Sequence, residues 1–384
     1  MRRALPALLL LTAVSSCESG DAVPPEIAVA EGSGSAAYEE RGRFPVGRTS
    51  FLVNDAAHGR SLPVELWYPA AESARAASDE GEPLADFLVV GPQHDELAKL
   101  VEAAPEPCTN KRTRAAHDVP TAAGSFPFVV FSHCHGCTRY SSFSLAEQLA
   151  SRGIAVVAVE HLGDTLFETM AGSLAPLSGE FLEVRADDVI AVRDAVVDPA
   201  SAVVPELVRG RLDPARVGMF GHSFGAATTG RVLQRDDRFR AGLGIAAPLA
   251  VLGPVVMSDL RVPLLMLLAR EDHSIGEVGN ILIRGNHAKA VAPAWLVEVT
   301  DAGHFSFSDL CGAYQGWEAG CGTATHQSPA QKGETFAYLD NTVARSIGKG
   351  YVAAFFAHHL LGEAPALRYL GAATPPASVT ITAR

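Results

Sequence analysis

The chain has 384 residues, 48% hydrophobic and 19% charged, with a formal net charge of −12. That balance suits one large or two modest globular domains and excludes a fibrous or wholly disordered protein. Beyond Arg2 and Arg3 no basic run stands out, so no nucleic-acid partner is expected.

Residues 1–16 read as an export signal, with Arg2 and Arg3 as its basic start, Leu8 to Leu11 in a short apolar stretch, and Ser15 and Ser16 as small residues after it. The apolar stretch is too short to span a bilayer. Val14-Ser15-Ser16-Cys17 resembles a bacterial lipobox, in which Cys17 is diacylated; an ordinary cleaved signal with an incidental cysteine is the alternative. With Glu18 next, the expectation is an exported lipoprotein facing the periplasm or the cell surface, anchored in the outer membrane. Residues 17–42, rich in Gly, Ser, Ala, Pro and acid, read as a flexible tether, and 43–384 as the folded domain.

The stretches 48–54 and 61–68 flank a turn at 55–59 and predict two antiparallel strands. Residues 70–124, polar and carrying Pro83, Pro92, Pro105 and Pro107, predict an excursion with a helix near 94–103. From Phe126 a strand–helix alternation begins: strand 128–131, helix 141–152, strand 154–159, helix 183–197, strand 217–220, helix 223–234. Short buried strands separated by helices predict a parallel sheet with crossover helices. Further strands are expected at 241–245, 263–268 and 295–299, and an apolar helix at 351–361. The fold class is therefore α/β, with a mostly parallel twisted sheet, helices on both faces and an antiparallel N-terminal edge.

Gly221-His222-Ser223-Phe224-Gly225 is a Gly-x-Ser-x-Gly pentapeptide lying between a strand and a helix. That context marks the nucleophile elbow of an α/β-hydrolase, where a strained turn presents Ser223 at a helix N-terminus that favours a developing anion. A serine hydroxyl needs a base, and His304, just after the strand at 295–299, occupies the expected place. His287, His358 and His359 are weaker candidates for that base. Asp272, which follows the strand at 263–268, is the favoured acid, with Glu271 and Asp301 as rivals. For the oxyanion, the Phe224 amide is one donor; the second belongs to the loop after strand 128–131, at His135 or alternatively Cys134.

Setting Cys17 aside, Cys108, Cys134, Cys137, Cys311 and Cys321 are odd in number, so one thiol stays free if the rest pair within the chain. Cys311 and Cys321 enclose a short loop and are the expected disulfide, contributing about 2–3 kcal/mol by loop closure. Cys134-His-Gly-Cys137 is either a disulfide that stiffens the oxyanion loop or two thiols lining the cleft. As a zinc site it is half a motif, and the rest of a thioredoxin-like unit is missing. No metal and no cofactor are expected. Arg185, Asp187, Asp188 and Arg193 read as a solvated or helix–loop ion-pair face, and His133, His222 and His273 as structural or rim residues.

Four blocks carry a resemblance: Phe131-Ser-His with Gly136, Glu160-His161-Leu-Gly-Asp-Thr165, Gly221-His-Ser-Phe-Gly-Ala-Ala-Thr228 and His304-Phe-Ser-Phe-Ser-Asp309. Together with the opening from Phe44 to Pro69, they resemble the platelet-activating-factor acetylhydrolase and dienelactone-hydrolase-like esterases. The resemblance implies hydrolysis of short or oxidised acyl esters, including phospholipid-like ones, without a metal. It implies a Ser223, Asp272 and His304 triad and places His161 near the acyl pocket. Where that family carries glycines in the oxyanion loop, Cys134 and Cys137 stand here, and Cys134 joins His161 as an expected substrate neighbour. The competing readings are a polyester or lipid-ester hydrolase of the same mechanism and an inactive lipid-anchored binding protein. Specificity is expected in the loops at about 70–124, 166–182 and 308–346.

Overall fold

A computed structural model describes residues 35–291, 293–327, 331–372 and 375–384. The expected export signal, Cys17 and most of the tether lie outside the described residues. In chain order the elements are β1 (Val46–Asp55), β2 (Arg60–Pro69), α1 (Arg75–Glu80), α2 (Pro92–Ala103), β3 (Ala116–His117), β4 (Phe126–Ser132), α3 (Phe143–Ser151), β5 (Ala155–Val159), α4 (Leu166–Ala171), α5 (Gly179–Val197) and β6 (Leu212–His222). They continue with α6 (Phe224–Arg235), β7 (Phe239–Ile245), β8 (Leu264–Ala269), α7 (Gly276–Lys289), β9 (Ala294–Val299), β10 (Thr323–Thr325), β11 (Thr335–Ala337), α8 (Asn341–Phe356), α9 (Ala364–Leu370) and β12 (Val379–Ala383).

Strands β4, β5, β8 and β9 are buried at every position, which a strand tolerates only when both faces of its sheet are covered. Alternate residues divide accordingly. Val129 and Phe131 join the core under α3 and α8, whereas Phe128 and Val130 join the one under α5 and α6. The sheet has ten strands in the order β12-β9-β8-β7-β6-β4-β5-β2-β1-β3. From β5 to β9 every pairing is parallel, and β2 and β1 add antiparallel partners beyond β5, as expected. Two edges were not anticipated: β12 runs antiparallel to β9, and the two-residue β3 pairs parallel to β1. The carboxyl ends of β4, β6, β8 and β9 therefore open onto one rim, and the loops that follow them carry the candidate residues.

The excursion after β2 folds into α1, α2 and β3 and is fastened to the body by buried polar contacts. Arg48 pairs with Glu65 at 3.2 Å and with Glu82. Glu147 on α3 accepts the Arg114 N–H at 2.7 Å and the Thr113 hydroxyl. Burial raises the Glu147 carboxyl from its ordinary 4.5 to about 7, outweighing the lowering by Thr113, Arg41 and the Arg114 amide.

A carboxyl raised in the folded state binds its proton more tightly there than in the unfolded chain, so its contribution is fully present below pH 4.5 and declines as pH rises to about 7. Glu147→Gln, which cannot ionise, is expected to gain stability relative to wild type between about pH 5 and pH 7.5 in urea unfolding. A wild-type-minus-variant difference that stays flat across that window contradicts the assignment.

Candidate active site

The elbow between β6 and α6 is built by close approach. A Cβ on Gly225 would lie 1.9 Å from the Ser132 carbonyl oxygen, and one on Gly221 would lie 2.0 Å from the Gly225 oxygen, so neither position admits a side chain. Between them Ser223 takes φ 56° and ψ −120°, a conformation rarely adopted by a residue with a side chain. Its N–H is fixed to the Ile245 carbonyl at 2.8 Å, and its hydroxyl-bearing side chain is half-buried rather than sealed.

His304 lies beside this turn. Its carbonyl accepts the His222 Nε2 hydrogen at 2.8 Å, and its ring packs in a triangle with those of His222 and Phe305, each 4.9 Å away centroid to centroid. Its Nδ1 is 2.7 Å from Asp272 Oδ2. A carboxylate only accepts, so Nδ1 carries the hydrogen and Nε2 is left with the lone pair. Asp272 is fully buried, and its other oxygen takes the N–H groups of Ser274 at 2.9 Å and Ile275 at 3.0 Å, which anchor it at the start of α7. Of the two rival acids, Glu271 is engaged by His326 at 2.8 Å and the Gln327 amide at 2.6 Å, while Asp301 sits in a turn with φ 56°. His222 stays neutral: burial, with His304 beside it, lowers its pKa to about 3. No hydrogen bond joins Ser223 Oγ to His304 Nε2 among the described residues; such bonds commonly tighten only when substrate is bound.

Among the described residues the N–H groups of Phe224, Cys134 and His135 have no hydrogen-bond partner. The loop carrying the last two lies against the elbow, with the His135 ring 6.1 Å from the Phe224 ring. A half-buried strained hydroxyl, an imidazole oriented by a buried acid, and free amides at a helix start are the parts that activate an oxygen nucleophile and hold a tetrahedral oxyanion.

Residues 30–172 and 194–311 match the family described as platelet-activating factor acetylhydrolase, isoform II. The chain belongs to that family. It is 27% identical over 175 residues to a platelet-activating factor acetylhydrolase of Bos taurus, and 25% identical over 275 residues to one of Gallus gallus. These matches cover 37% and 59% of this chain, and 39% and 64% of the two relatives. A ferulic acid esterase from Streptomyces cinnamoneus superposes with a TM-score of 0.65 at 25% identity, over 88% of this chain and 97% of that one.

Several residues expected at the site from the family resemblance or from spacing are placed elsewhere. His161 does not line an acyl pocket. It is fully buried, with Nε2 2.9 Å from Ser132 Oγ and Nδ1 2.9 Å from Asp188 Oδ2, so neither ring nitrogen is free to meet a substrate. The Cys134 sulfur is likewise closed to substrate, being buried and bonded to Cys137. The expected Cys311–Cys321 disulfide is replaced by Cys108–Cys321. The reason is that the turns after His304 send Cys311 into the core, where its carbonyl accepts the Thr109 hydroxyl at 2.7 Å, and bring Cys321 to a Cα separation of 5.7 Å from Cys108. Cys311 remains a buried thiol, its pKa pushed up by burial to about 12.

Of the solvated and helix–loop ion-pair readings, Arg185 and Asp188 take the second: both are fully buried, Arg185 paired with the loop residue Asp164 and Asp188 with Arg60 at 2.6 Å. Arg185 Nη1 pairs with Asp164, Nη2 donates to Ser132 Oγ at 2.9 Å and to the His133 carbonyl, and Nε donates to Thr228 Oγ1 at 3.1 Å. Asp164, absent from the expected site, accepts the Gly136 N–H at 2.8 Å and lies 2.5 Å from His135 Nδ1. Its only trace in the sequence is its place in the block from Glu160 to Thr165.

Gly225→Ala is expected to force α6 away from β4 and destabilise the protein by about 2–4 kcal/mol, in the range of severe core overpacking. Urea unfolding measures this, and a loss below about 0.5 kcal/mol means that the backbones are not in contact at this point.

Proposed function

We propose that the chain is a carboxylic ester hydrolase working through an acyl-enzyme. The single observation that carries this reading is the Asp272–His304 bond set directly beside the Ser223 elbow. Ser223 Oγ attacks the acyl carbonyl while His304 Nε2 takes its proton; Asp272 keeps the imidazole in the required tautomer and balances its charge. The Phe224 and His135 amides receive the oxyanion, His304 returns the proton to the departing alkoxide, and water then repeats the cycle on the acyl-enzyme. Membership of an acetylhydrolase family and likeness to a ferulic acid esterase support an ester of a short or compact acyl group. A platelet-activating-factor-like or other lipid ester is the substrate class this favours.

We also infer that Cys17 is the lipid attachment site and that the domain works tethered to a membrane outside the cytoplasm, a reading supported by the Val14-Ser15-Ser16-Cys17 pattern and the polar stretch after it. Intact-mass analysis of the detergent-extracted protein should show a diacylated N-terminal cysteine that Cys17→Ala lacks; an unmodified mature chain removes the anchor.

Wild type is expected to react with a fluorophosphonate probe and to turn over p-nitrophenyl acetate. Ser223→Ala should abolish labelling and lower kcat by roughly 10⁴-fold or more, and Asp272→Asn by roughly 10³–10⁴-fold, since the wrong imidazole tautomer then faces the serine. Turnover by Ser223→Ala at the wild-type rate refutes the mechanism.

A further inference from the structure

An oxyanion hole built of backbone N–H groups works only if those groups are already aimed at the oxyanion. Phe224 N–H is aimed by the first turn of α6, but His135 lies in a loop, and the orientation of its amide has to be imposed. In a trans peptide the N–H and the preceding C=O point in opposite directions. Cys134–His135 is trans, since among the described residues the cis bond is Glu106–Pro107. Whatever holds the Cys134 carbonyl therefore aims the His135 N–H. Two donors hold it: Cys137 N–H at 3.2 Å and His133 Nδ1 at 2.7 Å.

The His133 ring is fully buried, and its other nitrogen, Nε2, accepts the backbone N–H of His161 at 3.0 Å. With Nε2 accepting, the ring hydrogen has to be on Nδ1, so the tautomer is dictated by the backbone at the end of β5. Burial, reinforced by Arg185 and His161, holds the His133 pKa well below its ordinary value, so the ring stays neutral. The neighbouring peptides are held too. Arg185 takes the His133 carbonyl, and Asp164 takes the Gly136 N–H at 2.8 Å.

We propose that His133 is a positioning residue of the oxyanion hole: its Nδ1–H fixes the Cys134 carbonyl and thereby points the His135 N–H at the developing oxyanion. This rests on the ester-hydrolase reading. It assigns the aim of the second donor to a side chain that touches neither substrate nor Ser223.

The test compares wild type with His133→Asn, whose side-chain amide still donates over the same short reach, and with His133→Leu and His133→Ala, which cannot. Kinetics are read on p-nitrophenyl acetate, together with the ratio of ester to thionoester turnover, because the larger sulfur fits poorly between N–H groups set for oxygen. Urea unfolding establishes that each variant is folded. Leu and Ala are expected to lower kcat by roughly 10–100-fold with KM within about threefold, short of the loss for deleting an oxyanion donor outright, to reduce the ester-to-thionoester ratio, and to be largely rescued in Asn. An unchanged kcat and ratio in folded Ala, or an Asn variant as slow as Ala, overturns the assignment. If Leu does not fold, the Ala and Asn pair decides. Failure of wild type to hydrolyse esters or take the fluorophosphonate label overturns instead the reading beneath it, and is told apart because the variants are then irrelevant.

Discussion

One buried ion pair, Arg185 with Asp164, ties the candidate site to the fold. Both side chains are wholly out of solvent, where a lone charge is expensive and a pair is tolerated only if its remaining hydrogen-bonding groups are satisfied. The guanidinium satisfies that condition with its planar fork of donors: beyond Asp164 it reaches Ser132, His133 and Thr228, and its carbon lies 4.6 Å over the Phe224 ring. Burial pushes the Asp164 carboxyl up, but Arg185, with His135 beside it, outweighs it and brings the pKa down to about 2. The end of β4, the oxyanion loop, α5 and α6 thus share one fixed charge, and removing either partner leaves the other unpaired in the core, at about 3–5 kcal/mol.

Much of the sheet could be read from residue order because the parallel strands are short and apolar on both faces. The run 264–269 (Leu-Leu-Met-Leu-Leu-Ala) has no polar alternation to confuse with an exposed strand. What escaped has identifiable causes. Helix α7 contains Gly276, Gly279 and Gly285, which weaken any helical signal, and it leaves Ile281 and Leu282 exposed while burying Ile283 in the core with Asn280 and His287 on the same face. Strand β12 is a short terminal segment whose role as an edge depends on β9 being there to pair with it.

At the site, local pattern carried the reading as far as local pattern can. The pentapeptide around Ser223 is informative because a strand precedes it and a helix follows it. Asp272 and His304 are each marked by a position just after a strand. Partnerships across the chain are different. An arginine beside two aspartates on a helix looks solvated until the neighbouring loop is known to lie over it, and cysteine pairing follows Cα separation, which sequence distance does not report; Cys108 and Cys321 are 213 residues apart.

The Cys108–Cys321 bridge has a bearing on which segments around the site can vary. It joins the excursion after β2 to the turns that follow His304, and the Thr109–Cys311 and Asn110–Asp309 hydrogen bonds reinforce the same seam. The excursion is in this way cross-linked to the segment that follows the base. Residues 166–178, which hold no cysteine, lie against the oxyanion loop through Thr169 and Leu174 beside Gly136 and expose Met170 and Leu177. Changes of length or contour in residues 166–178 therefore pull on no covalent link to the segment that carries His304.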